Sequence, residues 1–439
     1  MLKKVLVLSG VLALVGPVRA QAQSNGGKLA FLIPNLYGPS GLTVDSQSVL
    51  PSGETHSAHY NSAFQTSFTQ LNTLLAIQLA TPPLPSPASG FTYTLDPALG
   101  VFQRTTDSFG PLLAERAETI GKGKVSFGFS YQRFTFDTVE GIDLEELPAV
   151  FTHDNPSPGG RSDLVTTVNA IQADTDRFTA FLTWGVADRL DVSVAVPLLD
   201  SNMTVTSDAT IRRIGTQSNP AVHYYGDANG GFGSTRPFVS SGQATGIGDV
   251  ALRLKAAVLH GKAGLALGAD VRFPTGDEEN LLGSGAWGVR PFLAFSLATR
   301  IGGLAFSPHL NAGYLWNGES VLAGDIVAGT KGDMPNQASW VFGFDLAATK
   351  GITLSADVLG RTVFNTQRVV ETTFHALDGV STFPDIGFES GDFTAWDAAV
   401  GIKANPSGRL LLDLGLVFAL NKTGVRDTVT PLVGFEYSF

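Results

Sequence analysis

The 439-residue chain contains no cysteine. That removes disulfides, thiolate metal centres and cysteine nucleophiles together. Charge is scarce as well. Asp, Glu, Lys and Arg make up 15% of the residues, against about 25% in an average soluble domain. The balance is acidic, with a formal net charge of −10, which argues against nucleic acid as a partner. Beyond residue 22 no run approaches about 18 consecutive apolar residues, so no membrane-spanning helix is expected. GxSxG, HExxH and P-loop motifs are missing too. The acidic cluster Asp277-Glu278-Glu279 lacks the alternating spacing of a calcium loop. No metal, cofactor or catalytic residue is therefore expected.

The apolar run that does exist is N-terminal. Lys3 and Lys4 precede Val5 to Val18, and Ala20-Gln21-Ala22 follows. A charged start, a short apolar stretch and small residues at a cleavage site describe a secretory signal peptide over residues 1–22.

Period two dominates the chain from about residue 124. Val125, Phe127, Phe129 and Tyr131 fall on one face, as do Phe178, Ala180, Leu182 and Trp184, then Leu190, Val192, Val194 and Val196. The pattern returns near residues 250–254, 265–273, 289–297, 306–314, 340–346, 352–358, 396–402, 410–418 and 433–439. About twelve strands follow from this reading. The other face is mostly Gly, Ala, Ser and Thr with isolated charges of both signs: Asp249, Arg253, Lys255, Asp270, Arg272, Arg290, His309, Asp345, Asp357, Asp397, Lys403, Asp413 and Glu436. A solvent-facing sandwich face would carry dense Lys and Glu. A charge-free face opposite a sparsely charged one instead suits lipid outside and a wet lumen inside, because a charge at the bilayer midplane costs about 2–4 kcal/mol. These lumen-facing residues are candidates for a solute path or for wall salt bridges, such as Arg253 or Lys255 with Asp270 and Lys403 with Asp413.

Connection lengths support the same fold. Segments 138–163, 207–245, 275–285, 317–336, 365–391 and 421–428 read as long loops, and they alternate with short turns at Ala187-Asp188-Arg189, His260-Gly261-Lys262, Arg300-Ile301-Gly302, Lys350-Gly351 and Asn405-Pro406-Ser407. Outer-membrane barrels have long external loops, short periplasmic turns and an even strand number. The fold class predicted is all-β, a transmembrane antiparallel up-and-down barrel. Most of the net acidity falls in the long segments, a crown that divalent cations would bridge to lipopolysaccharide. The terminal Phe439 after an alternating strand resembles the signal read by barrel-insertion machinery. The expected location is the outer membrane of a Gram-negative-type cell.

Residues 23–110 lack long alternating strands. Asn61 or Ser62 caps a predicted helix running to about Ala80, with Phe64, Phe68, Leu71 and Leu75 on one face. No charge occurs from Asn61 through Leu95. Such a helix suits a barrel lumen, so this region reads as a plug, with a periplasmic or surface extension as the alternative. Two short alternating pieces, Phe91 to Leu95 and Leu99 to Gln103, would raise the strand number to fourteen if they joined the barrel.

Gly246-Ile247-Gly248-Asp249, with Arg253 and Lys255 on the same strand, resembles a pattern in one family of barrels. So does Phe273-Pro274-Thr275-Gly276-Asp277 running on to Gly283-Ser284-Gly285. That family is the outer-membrane transporters grouped with the MetA pathway of phenol degradation proteins. They are thought similar in architecture to the long-chain fatty acid and aromatic hydrocarbon channels, which have fourteen strands and an N-terminal hatch. The resemblance implies passage of small apolar or aromatic compounds. The function expected is passive transport of a small-molecule solute, controlled by the N-terminal region. The alternatives are a plugged barrel with a surface role and, third, a barrel enzyme. For the last, His309 would need to face lipid, and its parity faces the lumen.

Overall fold

A computed structural model describes residues 27–38, 42–45, 60–80, 92–96, 101–104, 108–153 and 162–439. The expected signal peptide, residues 1–22, lies outside them. Twelve antiparallel strands form a closed ring. They are β1 (Val125–Phe136), β2 (Leu164–Ala187), β3 (Leu190–Arg212), β4 (Ala251–Leu259), β5 (Ala263–Arg272), β6 (Gly288–Leu297), β7 (Leu304–Asn317), β8 (Gln337–Thr349), β9 (Ile352–His375), β10 (Thr382–Ala404), β11 (Leu410–Ala419) and β12 (Val429–Ser438). Each pairs with its neighbour in sequence, and β12 pairs with β1, Val433 opposite Tyr131. No edge remains within the ring, which is what hydrocarbon demands of backbone N–H and C=O groups. The fourteen-strand alternative does not hold. Tyr93–Asp96 and Val101–Arg104 pair with each other as a separate hairpin, because four residues each are too few to span.

The two faces of the wall divide by parity. Leu414 is 58% exposed on the outside and Trp184 51%, while Asp345 is 1% and Asp357 3% exposed inside. Trp340 and Trp396 meet edge to face at 5.5 Å, and Tyr314 lies 5.1 Å from Trp316. These rings cluster toward the long-loop end, where an aromatic girdle is expected.

Above that girdle the strands continue and the polarity of their faces reverses. On β2 the outward side runs from Trp184, Leu182 and Phe178 to Asp176, Asp174 and Gln172, while inward Ile171 and Val165 become fully buried. On β3 the change falls between Leu198 and Asp200, and inward Met203, Val205 and Ile211 are buried. Outside, the carboxylate of Asp176 accepts hydrogen bonds from the Tyr131 hydroxyl at 2.6 Å and from Arg133. The reversal marks the place where lipid gives way to water.

It also corrects two expected loops. Segment 365–391 is largely the upper part of the β9–β10 hairpin, with register continuing past a bulge between Val363 and Thr366 up to His375 opposite Thr382. Segment 207–245 holds the top of β3 and the strand Thr235–Ile247 paired along it. Both carry strand periodicity, and on β3 and β9 the buried apolar residues Met203, Val205 and Val369 take the parity opposite to the lipid-facing set below.

The interior of this upper part is a hydrophobic core. Leu29, Leu32, Ile33, Leu42 and Val44 join Leu71, Leu74 and Leu75 of helix α1 (Asn61–Ala80), and both sets pack on Ile171, Val205, Val369 and Ile386 of the strands and on Leu322 and Met334 of the loop after β7. Each such side chain contributes about 1.5–3 kcal/mol on burial. That far outweighs a single neutral hydrogen bond such as Thr73 to the Gly324 carbonyl. Helix α1 therefore sits above the membrane-level lumen, held by apolar contact. Leu71 and Leu75 are buried there; the side chains of Phe64 and Phe68 lie outside the described residues.

Two outcomes test this division. Leu414→Lys is expected to destabilise the barrel by about 2–4 kcal/mol, whereas Asn202→Lys, also outward but above the girdle, should leave it within about 0.5 kcal/mol of the parent; urea unfolding in detergent micelles measures both. At the top of β2, burial opposes ionisation of Asp163, but hydrogen bonds from His223, Thr216 and the Gly215 amide outweigh it and hold the carboxyl below its ordinary 3.8. A lowered folded-state value stabilises fully above 3.8 and is lost as pH falls through the depressed value. Hydrogen exchange at the Gly215 amide, corrected for intrinsic rate, should accelerate only in that acidic window; a pH-independent protection factor would contradict it.

Candidate functional site

The lumen is crossed at its short-turn end by an irregular strap, residues 108–124, immediately before β1. Ser108 Oγ donates to Asp345 at 3.0 Å, and the Phe109 amide to Thr353 Oγ1 at 2.9 Å. Phe109 packs on Leu411. On the far side the Ala117 amide donates to Ser296 Oγ at 3.0 Å, Thr119 to the Asp188 carbonyl at 2.7 Å, and the Ile120 amide to Asp191 at 3.1 Å. The strap thus spans from β8, β9 and β11 to β3 and β6. Its main part, residues 111–124, lies between the N-terminal region 23–110 and the first strand of the barrel.

Small residues on the wall make room for it. A Cβ at Gly264 would stand 2.9 Å from the Ala117 Cβ, and one at Gly401 would stand 2.9 Å from Leu112. Gly415 faces the same Leu112.

Glu115 is the strap's anchor. Asn311 grips its peptide from both sides: the Glu115 amide donates to Asn311 Oδ1 at 2.5 Å, and Asn311 Nδ2 donates to the Glu115 carbonyl at 2.8 Å. The Glu115 carboxylate meets Arg253 and lies 2.8 Å from Lys255 Nζ. Arg253 also holds Asp270 bidentately, at 2.6 and 2.9 Å. Arg290 reaches the same Asp270 at 2.6 Å, and Lys255 lies 3.7 Å from Asp191. Lys255 therefore pairs with the strap and β3, not with Asp270. Counting the groups, Arg253, Lys255 and Arg290 are balanced by Glu115, Asp270 and Asp191.

Above the strap and below α1 lies a chamber of about 210 Å³. Glu115 and Leu113 form part of its floor and Gln78 of α1 reaches its roof. Phe134, Phe136 and Phe292 line it together with Arg253, Arg290, Arg361, Arg426 and Asp397. Phe292 lies 4.9 Å beneath the Arg253 guanidinium and 5.6 Å from that of Arg290, within cation–π range. Arg426 folds in from the last long loop onto Asp397.

The remaining lumen candidates sit around this centre. Asp249 accepts from the Gly276 amide, the Ser284 amide and Ser284 Oγ at 3.1, 2.8 and 2.5 Å. Thr275 Oγ1 donates to the Gly248 carbonyl. The two glycine-rich motifs thus tie the loop after β5 back to the start of β4. Arg272 lies 3.6 Å from Asp249 and donates to Asn317. His309 stands between Asp357 at 2.7 Å and Asp345 at 3.3 Å. Lys403 and Asp413 are 3.8 Å apart, and Glu436 accepts from Ser126. Among the described residues no cluster of three or more His, Asp or Glu is placed to hold a metal.

Sequence reasoning did not single out Glu115, Phe134, Phe136, Phe292, Arg361 or Arg426. The three phenylalanines carried a signal, since each is a large aromatic on the wet parity. Glu115 carried none, lying in an aperiodic stretch.

A closed twelve-stranded wall that is apolar outside and polar inside, with a chamber in its lumen, defines an outer-membrane β-barrel of the channel class. The profile of the family described as "MetA-pathway of phenol degradation" matches residues 152–426, and the chain belongs to that family. No curated protein sequence matches it. Similar solved structures include the COG4313 outer membrane channel from Pseudomonas putida F1, at 13% identity and a TM-score of 0.43, covering 74% of this chain and 98% of that one. The TodX monoaromatic hydrocarbon channel deltaS2 mutant is 9% identical, with a TM-score of 0.32 and coverage of 74% and 93%. A FadL homologue from Pseudomonas aeruginosa is 10% identical, with a TM-score of 0.29 and coverage of 73% and 89%.

The shared carboxylate gives a direct test. Asp270→Asn leaves Arg253 and Arg290 without their common anion, and breaking a buried pair costs about 3–5 kcal/mol. Urea midpoints in detergent should fall accordingly; a variant as stable as the parent would show that the arginines are solvated rather than paired.

Proposed function

We propose that this protein is an outer-membrane channel for small apolar or aromatic molecules, worked by passive diffusion and controlled by the N-terminal region. The observation that carries the reading is the chamber itself. It is a ligand-sized space inside a lipid-compatible wall, roofed by α1 of the N-terminal region and floored by the strap that leads from that region into β1. An apolar cavity of about 150 Å³ takes benzene, so about 210 Å³ suits one substituted ring. Phenylalanines on the inward face supply contact for such a ring. The strap is held mainly by hydrogen bonds and ion pairs to the wall, whereas α1 is fixed in an apolar core, so the strap is the part that moves. Nothing in this reading requires catalysis or a cofactor. Leader cleavage after residue 22, docking of Phe439 to insertion machinery and cation bridging of the acidic loops to lipopolysaccharide complete it.

A second reading is a barrel that is permanently plugged and acts through its surface. The extent of the hydrophobic core above the membrane, in which α1 is packed, favours it.

Because the chain lacks cysteine, a reversible staple separates the two. Ala117 on the strap packs against Ala266 on β5. Ala117→Cys with Ala266→Cys, oxidised, should abolish conductance in planar bilayers, and reductant should restore it to the parent level. Absence of conductance in the parent and in both redox states would favour the permanently plugged barrel.

A further inference from the structure

The ion pairs around Glu115 link six charged side chains. Three wall or lumen carboxylates, Glu115, Asp270 and Asp191, face three cations, Arg253, Lys255 and Arg290. Glu115 is the only one of these six on the strap. If the strap withdraws, two carboxylates remain for three cations in a site where all three side chains are at most one-third exposed. An uncompensated buried charge is strongly unfavourable, so withdrawal requires another anion in Glu115's place.

The chamber offers that place. Arg253, Arg290, Glu115 and Phe292 all line it. A guanidinium fork matches a carboxylate, and the adjacent Phe292 ring offers an aromatic surface beside it. Resting on the channel reading above, we propose that the solute is a single-ring aromatic carboxylate, and that its carboxylate takes the place of Glu115 on Arg253, with Arg290 beside it, to release the strap. The exchange conserves charge: one carboxylate leaves Arg253 and Lys255 as another arrives at Arg253, and no covalent bond is made or broken. A neutral ring fills the chamber without replacing Glu115, and a cationic ring is repelled by the same arginines.

Isothermal titration of the full chain in detergent, with benzoate, benzyl alcohol and benzylammonium as probes, tests the recognition. Benzoate should bind at least about tenfold more tightly than benzyl alcohol, as expected for hydrogen bonds to a charged group, and benzylammonium should not bind. Glu115→Gln removes the competitor and should tighten benzoate about tenfold while leaving benzyl alcohol unchanged. Arg290→Gln should weaken benzoate selectively. Heat-modifiable gel migration confirms that each variant retains its barrel, and the comparison of the three probes on the parent protein needs no variant. Equal binding of benzoate and benzyl alcohol, or no binding of any probe, overturns the proposal. So does an unchanged benzoate affinity in Glu115→Gln. Planar-bilayer conductance distinguishes the two levels. A conducting barrel without benzoate preference overturns the exchange and keeps the channel, and a barrel that never conducts overturns the channel reading itself.

Discussion

The structure depends on one constraint: continuous strands must pass from hydrocarbon into water without a break in their hydrogen bonding. The ladder cannot change, so the side chains change instead. Below the aromatic girdle, apolar residues face outward and charges face inward; above it the assignment is exchanged on the same strand. Each half then has the interior its surroundings dictate. In lipid the outside must be apolar, which leaves the lumen free to be polar. In water the outside must be polar, and the interior becomes an ordinary hydrophobic core. The N-terminal region follows this division. Buried apolar side chains of helix α1, of residues 29–37 and of Leu42 and Val44 fill the upper half, while the strap is pinned by amides, hydroxyls and carboxylates and crosses the lower one.

Charge balance then ties the strap to the wall. Arg253 belongs to two ion pairs, one internal to the wall and one shared with the strap. Buried ion pairs are poor sources of net stability, since desolvation offsets most of their Coulomb energy. Their effect here is conditional: they permit only those arrangements in which every cation keeps an anion. The phenylalanines beside them are rigid and add no such condition.

Much of the lower half was legible from residue pattern alone. Leu410, Leu412, Leu414, Leu416 and Phe418 announce a lipid-facing strand, and the intervening Asp413 announces its lumen side. The parity of His309, Asp345 and Asp357 was readable for the same reason. The upper half was not read as strand. In β2, Ile171 and Val165 occupy the parity that Phe178 and Leu182 had marked as wet, so a single-parity template loses the strand at Arg177. The same reversal hid the tops of β3 and β9 inside apparent loops. The centre of the site was less legible for a different reason. Glu115 acts through partners on β4 and β7, and no local spacing encodes contacts that arise only when the ring closes. The glycine-rich motifs around Asp249 and Thr275 were visible, but they fasten a loop to its own wall.

The closing pair of the ring, β12 on β1, joins the two ends of the barrel's sequence around a strap that precedes both. The enclosed segment is thus older in the chain than the fence that confines it. Barrel closure and strap placement cannot be independent events: either the wall assembles around a strap already lying on β8, β9 and β11, or the strap is drawn in through a mouth not yet sealed. Closing the ring pairs the segments furthest apart in its sequence, where the loop-closure cost is largest. The interval before it is when the lumen's contents are decided.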